Sequence, residues 1–445
     1  MKNANRILRF QAFLIVFLIL RSGIVFSQSR IDTTSTDKPK KSPLCFYADS
    51  INKLRKDQWR IQQQALDSAK AIDDAKRIKA FFQQNPDSLR VIDLTNLVLD
   101  TCPHLAQYSS AIALRLMRNN IQEIKKDVWP LSDSLRKVSL SDNLLNKIRF
   151  AKNSSIRDLD LSENELKRIP RSIKKLKSLR SINLSHNHIK RIPRFLARMN
   201  SLEEVDLNYN QIHQLRKRTI KGLRNLKIIQ IGANHISSLP ENISICKRVE
   251  SLNLGKNQLS SIPTSFAELD SLQHLIFYDN EFDSIPAVIW KLHQLKELDF
   301  YKNNIAVIPQ GIGQLQHLEQ LFLAYNKIGS LPDTLQSLMH LKALYLHHNQ
   351  MIIVPKWIGN FTHLLYLDMG YNKIFELPDM SGMDQLQEVD FQQNNLSEFP
   401  YDLLKNTHLN HIYLQGNSFV LTKEEREEME KLSKKLEEKG VKFYF

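Results

Sequence analysis

Two sets of side chains in this sequence have the composition of a binding surface. The first is aromatic: Tyr278, Tyr301, Phe322, Tyr325, Tyr345, Tyr366, Tyr371 and Tyr413, with His347, His348 and Ile276 among them. Tyrosine gives a large contact area for little conformational entropy, so it concentrates at binding hot spots. Acidic residues are interleaved: Asp279, Glu297, Asp299, Asp368, Glu388 and Asp390. The second set is basic. Between Lys167 and Arg224 lie sixteen Lys or Arg: Lys167, Arg168, Arg171, Lys174, Lys175, Lys177, Arg180, Lys190, Arg191, Arg194, Arg198, Arg216, Lys217, Arg218, Lys221 and Arg224. Only Glu203, Glu204 and Asp206 oppose them, which leaves +13 on this stretch. Such a field attracts lipopolysaccharide phosphate, an acidic glycan or an acidic protein. Both sets have plainer explanations, which composition leaves open. Aromatic residues pack well on a pleated strand, and charge runs keep outer faces soluble.

Catalytic signatures are missing. The sequence has no phosphate-binding Gly-rich loop ending in Lys, no Gly-x-Ser-x-Gly elbow, no His-Glu-x-x-His and no Cys pair at zinc spacing. His347 and His348 with His274 or His411 approach a metal set only by accident of curvature, and exposed surface histidine is the simpler reading. The sequence therefore predicts no enzyme activity, no metal and no cofactor.

One recurring unit must position these side chains, Leu-x-x-Leu-x-Leu-x-x-Asn-x-Leu-x-x-Leu-Pro. A clear copy reads Leu318, Leu321, Leu323, Asn326, Ile328, Leu331 and Pro332. The Asn recurs at 119, 143, 164, 187, 210, 234, 257, 280, 303, 326, 349, 372, 394 and 417, fourteen copies mostly 23 residues apart. Leu321 and Leu323 alternate at period two, as on a strand with one buried face, so Phe322 points outward. The Asn amide carries a donor and an acceptor, and can satisfy backbone that has left the ladder. The Pro suits the start of a helical or 3₁₀ turn. Behind Pro170, Ile173, Leu176 and Leu179 have the three-residue apolar spacing of such a turn. One copy cannot bury its own apolar face, whereas stacked copies can. That predicts a curved solenoid with a parallel sheet on its concave side.

At these residues the chain resembles the leucine-rich repeat family, in its 23-residue class, over roughly three quarters of its length. The resemblance implies an α/β solenoid, a horseshoe of about fourteen repeats that displays a surface rather than one chemistry. The aromatic set then falls on the concave face, at the outward strand positions and the two positions before the Asn. Earlier copies carry small or polar residues there, such as Ser139, Ser141, Asp160, Asn183 and Ser185. Nearly all the basic residues fall on the loops and convex side, where three copies would merge them into one stripe. The cysteine-rich flanks of animal extracellular members are absent, which is similar to bacterial envelope members. Only residues 421–445 follow the repeats, too few for the ubiquitin-ligase domain some bacterial members carry there.

The flanks complete the reading. Residues 1–27 have a basic start, an apolar run from Phe10 to Leu20 and Val25-Phe26-Ser27 before Gln28, as in an export signal. Removing its four basic residues lowers the formal charge from +15 to +11. Residues 28–45 read as a linker. Residues 46–105 read as a helical N-terminal cap with a degenerate first repeat, in which Leu97 takes the Asn position. Repeats occupy 106–420. In 421–445 Thr422 and Glu425 form a capping box, followed by a helix ending at Gly440 and a last strand. Of three cysteines, Cys246 reads as buried, and Cys45 with Cys102 could bridge the N-terminal cap. The expectation is an exported protein, in the periplasm, at the cell surface or released. It would bind a protein partner on its concave sheet, or an anionic envelope polymer on its basic stripe, without nucleic acid and without a membrane span after signal removal.

Overall fold

The period-two leucines form a strand in every copy. The computed structural model describes residues 72–445 apart from 131, 152–154 and 439. The expected signal, the linker, Cys45 and the expected helix as far as residue 71 lie outside the described residues. The chain from Lys70 onward is one compact unit.

Its main sheet has sixteen strands in one continuous order. Each pairs in parallel with the strand of the next copy, as Leu321 does with Leu344. Fourteen strands belong to the Asn-bearing copies, from Ala113–Arg115 to His411–Tyr413. The degenerate copy adds Val91–Asp93 at one end, and Lys442–Tyr444 closes the other. Each strand buries its middle residue and turns its flanking residues to the concave side, as in Gln320–Phe322. The Asn row forms as its chemistry requires. Asn326 Nδ2 donates to Leu323 O at 3.0 Å and to Phe300 O of the preceding copy at 2.9 Å, while its Oδ1 accepts from Ile305 N–H at 2.9 Å.

The convex wall is made of five-residue 3₁₀ turns such as Asp333–Ser337. The Pro stands just ahead of the turn in extended conformation, and Pro332 O accepts from Leu335 N–H at 3.0 Å. Two copies depart from this pattern. Asn210 and Asn234 are 24 positions apart, Arg216 replaces the Pro, and the turn widens into the α-helix Lys217–Ile220. Asn372 and Asn394 are 22 positions apart, and no helical turn follows Pro378. The two copies before Asn164 that lack Leu-Pro instead pair Glu123–Ile124 with Lys147–Ile148 in a small second sheet.

At the N-terminal side, a helix over residues 72–82 sets Phe81 against Tyr108, ring centroids 5.3 Å apart. At the C-terminal side, Thr422 and Glu425 exchange the two hydrogen bonds of a capping box. The helix Lys423–Glu438 follows, with Met429 buried and Leu432 and Leu436 packed on the core. Cys102 and Cys246 carry free thiols, and burial pushes both up to about 12. No helix among the described residues is long and apolar enough to cross a membrane.

Candidate interaction face

Four side-chain positions per copy face the concave side, the two outer strand residues and the two residues before the Asn. The last strand residue lies four before the Asn. In eight copies it is Asp or Asn, and its side-chain oxygen accepts from the N–H two residues on. Asp160 holds Ser162, Asn183 holds Ser185, Asp206 holds Asn208 and Asn253 holds Gly255; Asp93, Asp299, Asp368 and Asp390 do the same. Ile276, Phe322, Tyr345 and Tyr413 occupy this position in other copies and cannot. Those copies forgo a cap of about 1 kcal/mol. In its place Phe322 and Tyr345 stack, with centroids 5.0 Å apart and planes within 4°.

The residue just before the Asn lies in the left-handed region, with φ between +51° and +56° in thirteen copies and +73° at Gly416. Such a conformation costs a non-glycine residue about 1 kcal/mol. It brings the side chains of successive copies into one column, where Tyr325 stacks on His348 at 4.0 Å and His348 on Tyr371 at 4.2 Å. Tyr301 and His347, two before their Asn residues, join the same cluster: Tyr301 meets Tyr325 at 5.1 Å, and His347 meets Tyr325 at 5.4 Å. Tyr325 and Tyr371 remain 40% and 44% exposed, so the stack is open to a partner.

Acids border this cluster. His347 Nδ1 lies 2.7 Å from Asp368 Oδ2. Burial pushes the Asp390 carboxyl up to about 6, with Asp368 nearby adding to the shift. Burial likewise pushes Asp299 to about 6 against the lowering effect of the Tyr301 N–H. His348 is held below its ordinary value by burial and by His347.

The remaining aromatic residues lie apart from this cluster. Tyr278 turns over Gly255, where a Cβ would stand 2.1 Å from its ring. Tyr366 Oη donates to Gln387 at 3.4 Å, and Tyr413 stacks on Tyr444 at 5.2 Å. His274 contacts Glu297 at 2.8 Å and His411 lies 4.0 Å from Glu388, each away from His347.

Comparison with known proteins places this architecture. Models of the leucine rich repeat match residues 133–189, 200–259 and 247–305, and one of a leucine-rich repeat region matches 283–369. A leucine-rich repeat protein of Leptospira interrogans is similar in structure, with TM-score 0.70 and 27% identity over 83% of this chain and 98% of that one. This chain belongs to the leucine-rich repeat family. Two Listeria monocytogenes proteins share the fold of this leucine-rich repeat chain. One is an internalin, with TM-score 0.52 and 19% identity over 64% of this chain and 88% of that one. The other is the functional domain of InlJ, with TM-score 0.56 and 16% identity over 77% of this chain and 68% of that one. No curated protein matches the sequence.

The leucine-rich repeat frame sorts twelve of the sixteen basic residues into two rows. Lys167, Arg168, Lys190 and Arg191 lie on the flank between the Asn and the Pro. Arg171, Lys174 and Lys175, then Arg194 and Arg198, then Arg216, Lys217 and Arg218 lie on three successive convex turns packed side by side. Among the described residues, none of the sixteen is in an ion pair. The sequence reading missed His186 and Tyr209, which stack at 4.2 Å in the left-handed column, with Tyr209 44% exposed. The signal was present, since each directly precedes a repeat Asn.

Proposed function

We propose that this chain is an exported, non-catalytic scaffold that holds a protein partner on the concave face of its C-terminal half. The observation that carries this reading is the exchange at Phe322 and Tyr345. These copies give up the backbone cap that eight others keep, and present half-exposed rings instead. Stacking within the sheet offsets the lost cap, and the rings left at its surface have the composition of a hot spot. Tyr325, His348 and Tyr371 extend the surface, with Tyr301 and His347 beside them, and Tyr278, Tyr366 and Tyr413 lie at its margins. The leucine-rich repeat fold in general serves protein interaction, which is consistent with this reading.

The test is capture from envelope extract at high salt. Tyr325→Ala with Tyr345→Ala should reduce retention of the captured partner at least tenfold, with an unchanged far-UV CD spectrum. Unchanged retention would remove the site assignment.

A second reading rests on the unpaired convex rows. Adjacent turns carrying unneutralised Lys and Arg suit an anionic envelope polymer, and this contact would be sensitive to salt.

A further inference from the structure

We propose that the short copy between Asn372 and Asn394 forms a second docking site, off the concave face. Its occupant is a peptide segment with an apolar or aromatic side chain beside a Lys or Arg. In the copy before it, Ile358 and Phe361 follow Pro355 by three and six residues and the turn Lys356–Asn360 forms. Behind Pro378 the same apolar positions come one residue early, at Met380 and Met383; Met383 N–H still donates to Met380 O at 3.2 Å, but the five-residue helical turn does not form. The next helical turn is Tyr401–Lys405. The thinned wall leaves a groove of about 390 Å³. Phe375 and Leu377 of the short copy and Phe399 and Tyr401 of the next line it.

Phe375 is 46% and Tyr401 52% exposed, while Ile353 continues the apolar area in the preceding copy at 61%. A cluster of this kind calls for something that covers it, and charge selects what. Glu376 and Glu398 also line the groove, exposed at matching positions four after their Asn residues. Neither is in an ion pair among the described residues, whereas Asp402 is already matched by Lys405. A groove whose accessible lining is mostly polar, with the exposed rings of Phe375 and Tyr401 beside two carboxylates that are in no ion pair among the described residues, favours a cation next to an apolar group.

The purified chain is panned against a phage-displayed library of random nonapeptides, and enriched peptides are measured by fluorescence polarisation. Ser397→Trp fills the groove from an exposed position, and Glu376→Lys with Glu398→Lys reverses its rim. Tyr325→Ala with Tyr345→Ala serves as the concave control. Enriched peptides should pair Lys or Arg with Phe, Leu, Ile or Trp. They should bind at least tenfold more weakly to both groove variants and equally to the concave control. An absence of enrichment, enriched peptides without that pairing, or a loss confined to the concave control would each overturn the proposal. The control keeps failure here separate from failure of the concave reading.

Discussion

Asn326 joins two copies through four hydrogen bonds while itself only 8% exposed. Asn326→Ala strands the Ile305 N–H, while Phe300 O, Leu323 O and Ala324 O each keep a second donor in Asn303 Nδ2, Asn349 Nδ2 and Lys302 N–H. At about 1–3 kcal/mol for one buried donor left unmade, the loss is roughly 1–3 kcal/mol. Denaturant unfolding measures it, and a loss below about 1 kcal/mol would contradict the bridging role. Asp299 gives the opposite case. Its carboxyl keeps its proton up to about 6 in the folded chain, against an ordinary 3.8. The folded state therefore binds the extra proton between those values, and its stability falls as pH rises through them, then stays level. Asp299→Asn retains an oxygen for the Tyr301 N–H, as Asn183 and Asn253 already do for their own partners. It should stabilise the chain by about 1–2 kcal/mol at pH 7.5, with the gain fading near pH 4. Melting curves at the two pH values decide, and equal curves at pH 7.5 would refute the burial argument. The Asn row is legible in the sequence because one residue type recurs in register. The left-handed column beside it is legible only as a position, one before each Asn, and not as a residue type, because Arg, Asp, Glu, His, Tyr, Ala, Lys and Gln all fill it.

At the scale of elements, strand and wall are set by spacing, and the informative places are where spacing changes. Sequence register placed Phe322 and Tyr345 on one face, but which rings stack depends on how neighbouring copies pack. That is why Tyr278 lies over Gly255 rather than in the central cluster. The 22-residue copy is visible as a number in the sequence. What it does is not, because losing one residue could as well have shortened a loop as removed a turn. In the fold the shortened segment closes in on the preceding wall, where a Cβ on Gly359 would stand 2.3 Å from Asp379 O. Gly359→Ala must push backbone against backbone and should cost about 2 kcal/mol or more. Gly329 has nothing within 4 Å of its added Cβ, so Gly329→Ala should be neutral or slightly stabilising. If the two substitutions shift the denaturation midpoint equally, the close approach at the missing turn is wrong.

Across the repeat unit, charge and aromatic content are sorted by both length and face. The convex turns at Arg171–Lys175, Arg194–Arg198 and Lys217–Ile220 carry the unpaired cations, while the Tyr325–His348–Tyr371 stack and the acids that border it lie on the concave sheet several copies further on. At about 4.8 Å per strand, the four copies from Asn210 to Asn303 separate the nearest edges of the two surfaces by about 19 Å along the sheet, beyond a Debye length of about 8 Å at physiological salt. The two surfaces should therefore bind independently. With polyphosphate as the probe, affinity should fall tenfold or more between about 50 and about 300 mM salt, since the attraction is screened at these exposed cations. Lys174→Glu, Arg194→Glu and Lys217→Glu together, one on each turn, should abolish it without altering retention of a concave partner. Binding that survives the triple reversal would place the polymer elsewhere. If the reversal also released the concave partner, the two faces would be parts of one site, and the partner would have to span the edge of the solenoid.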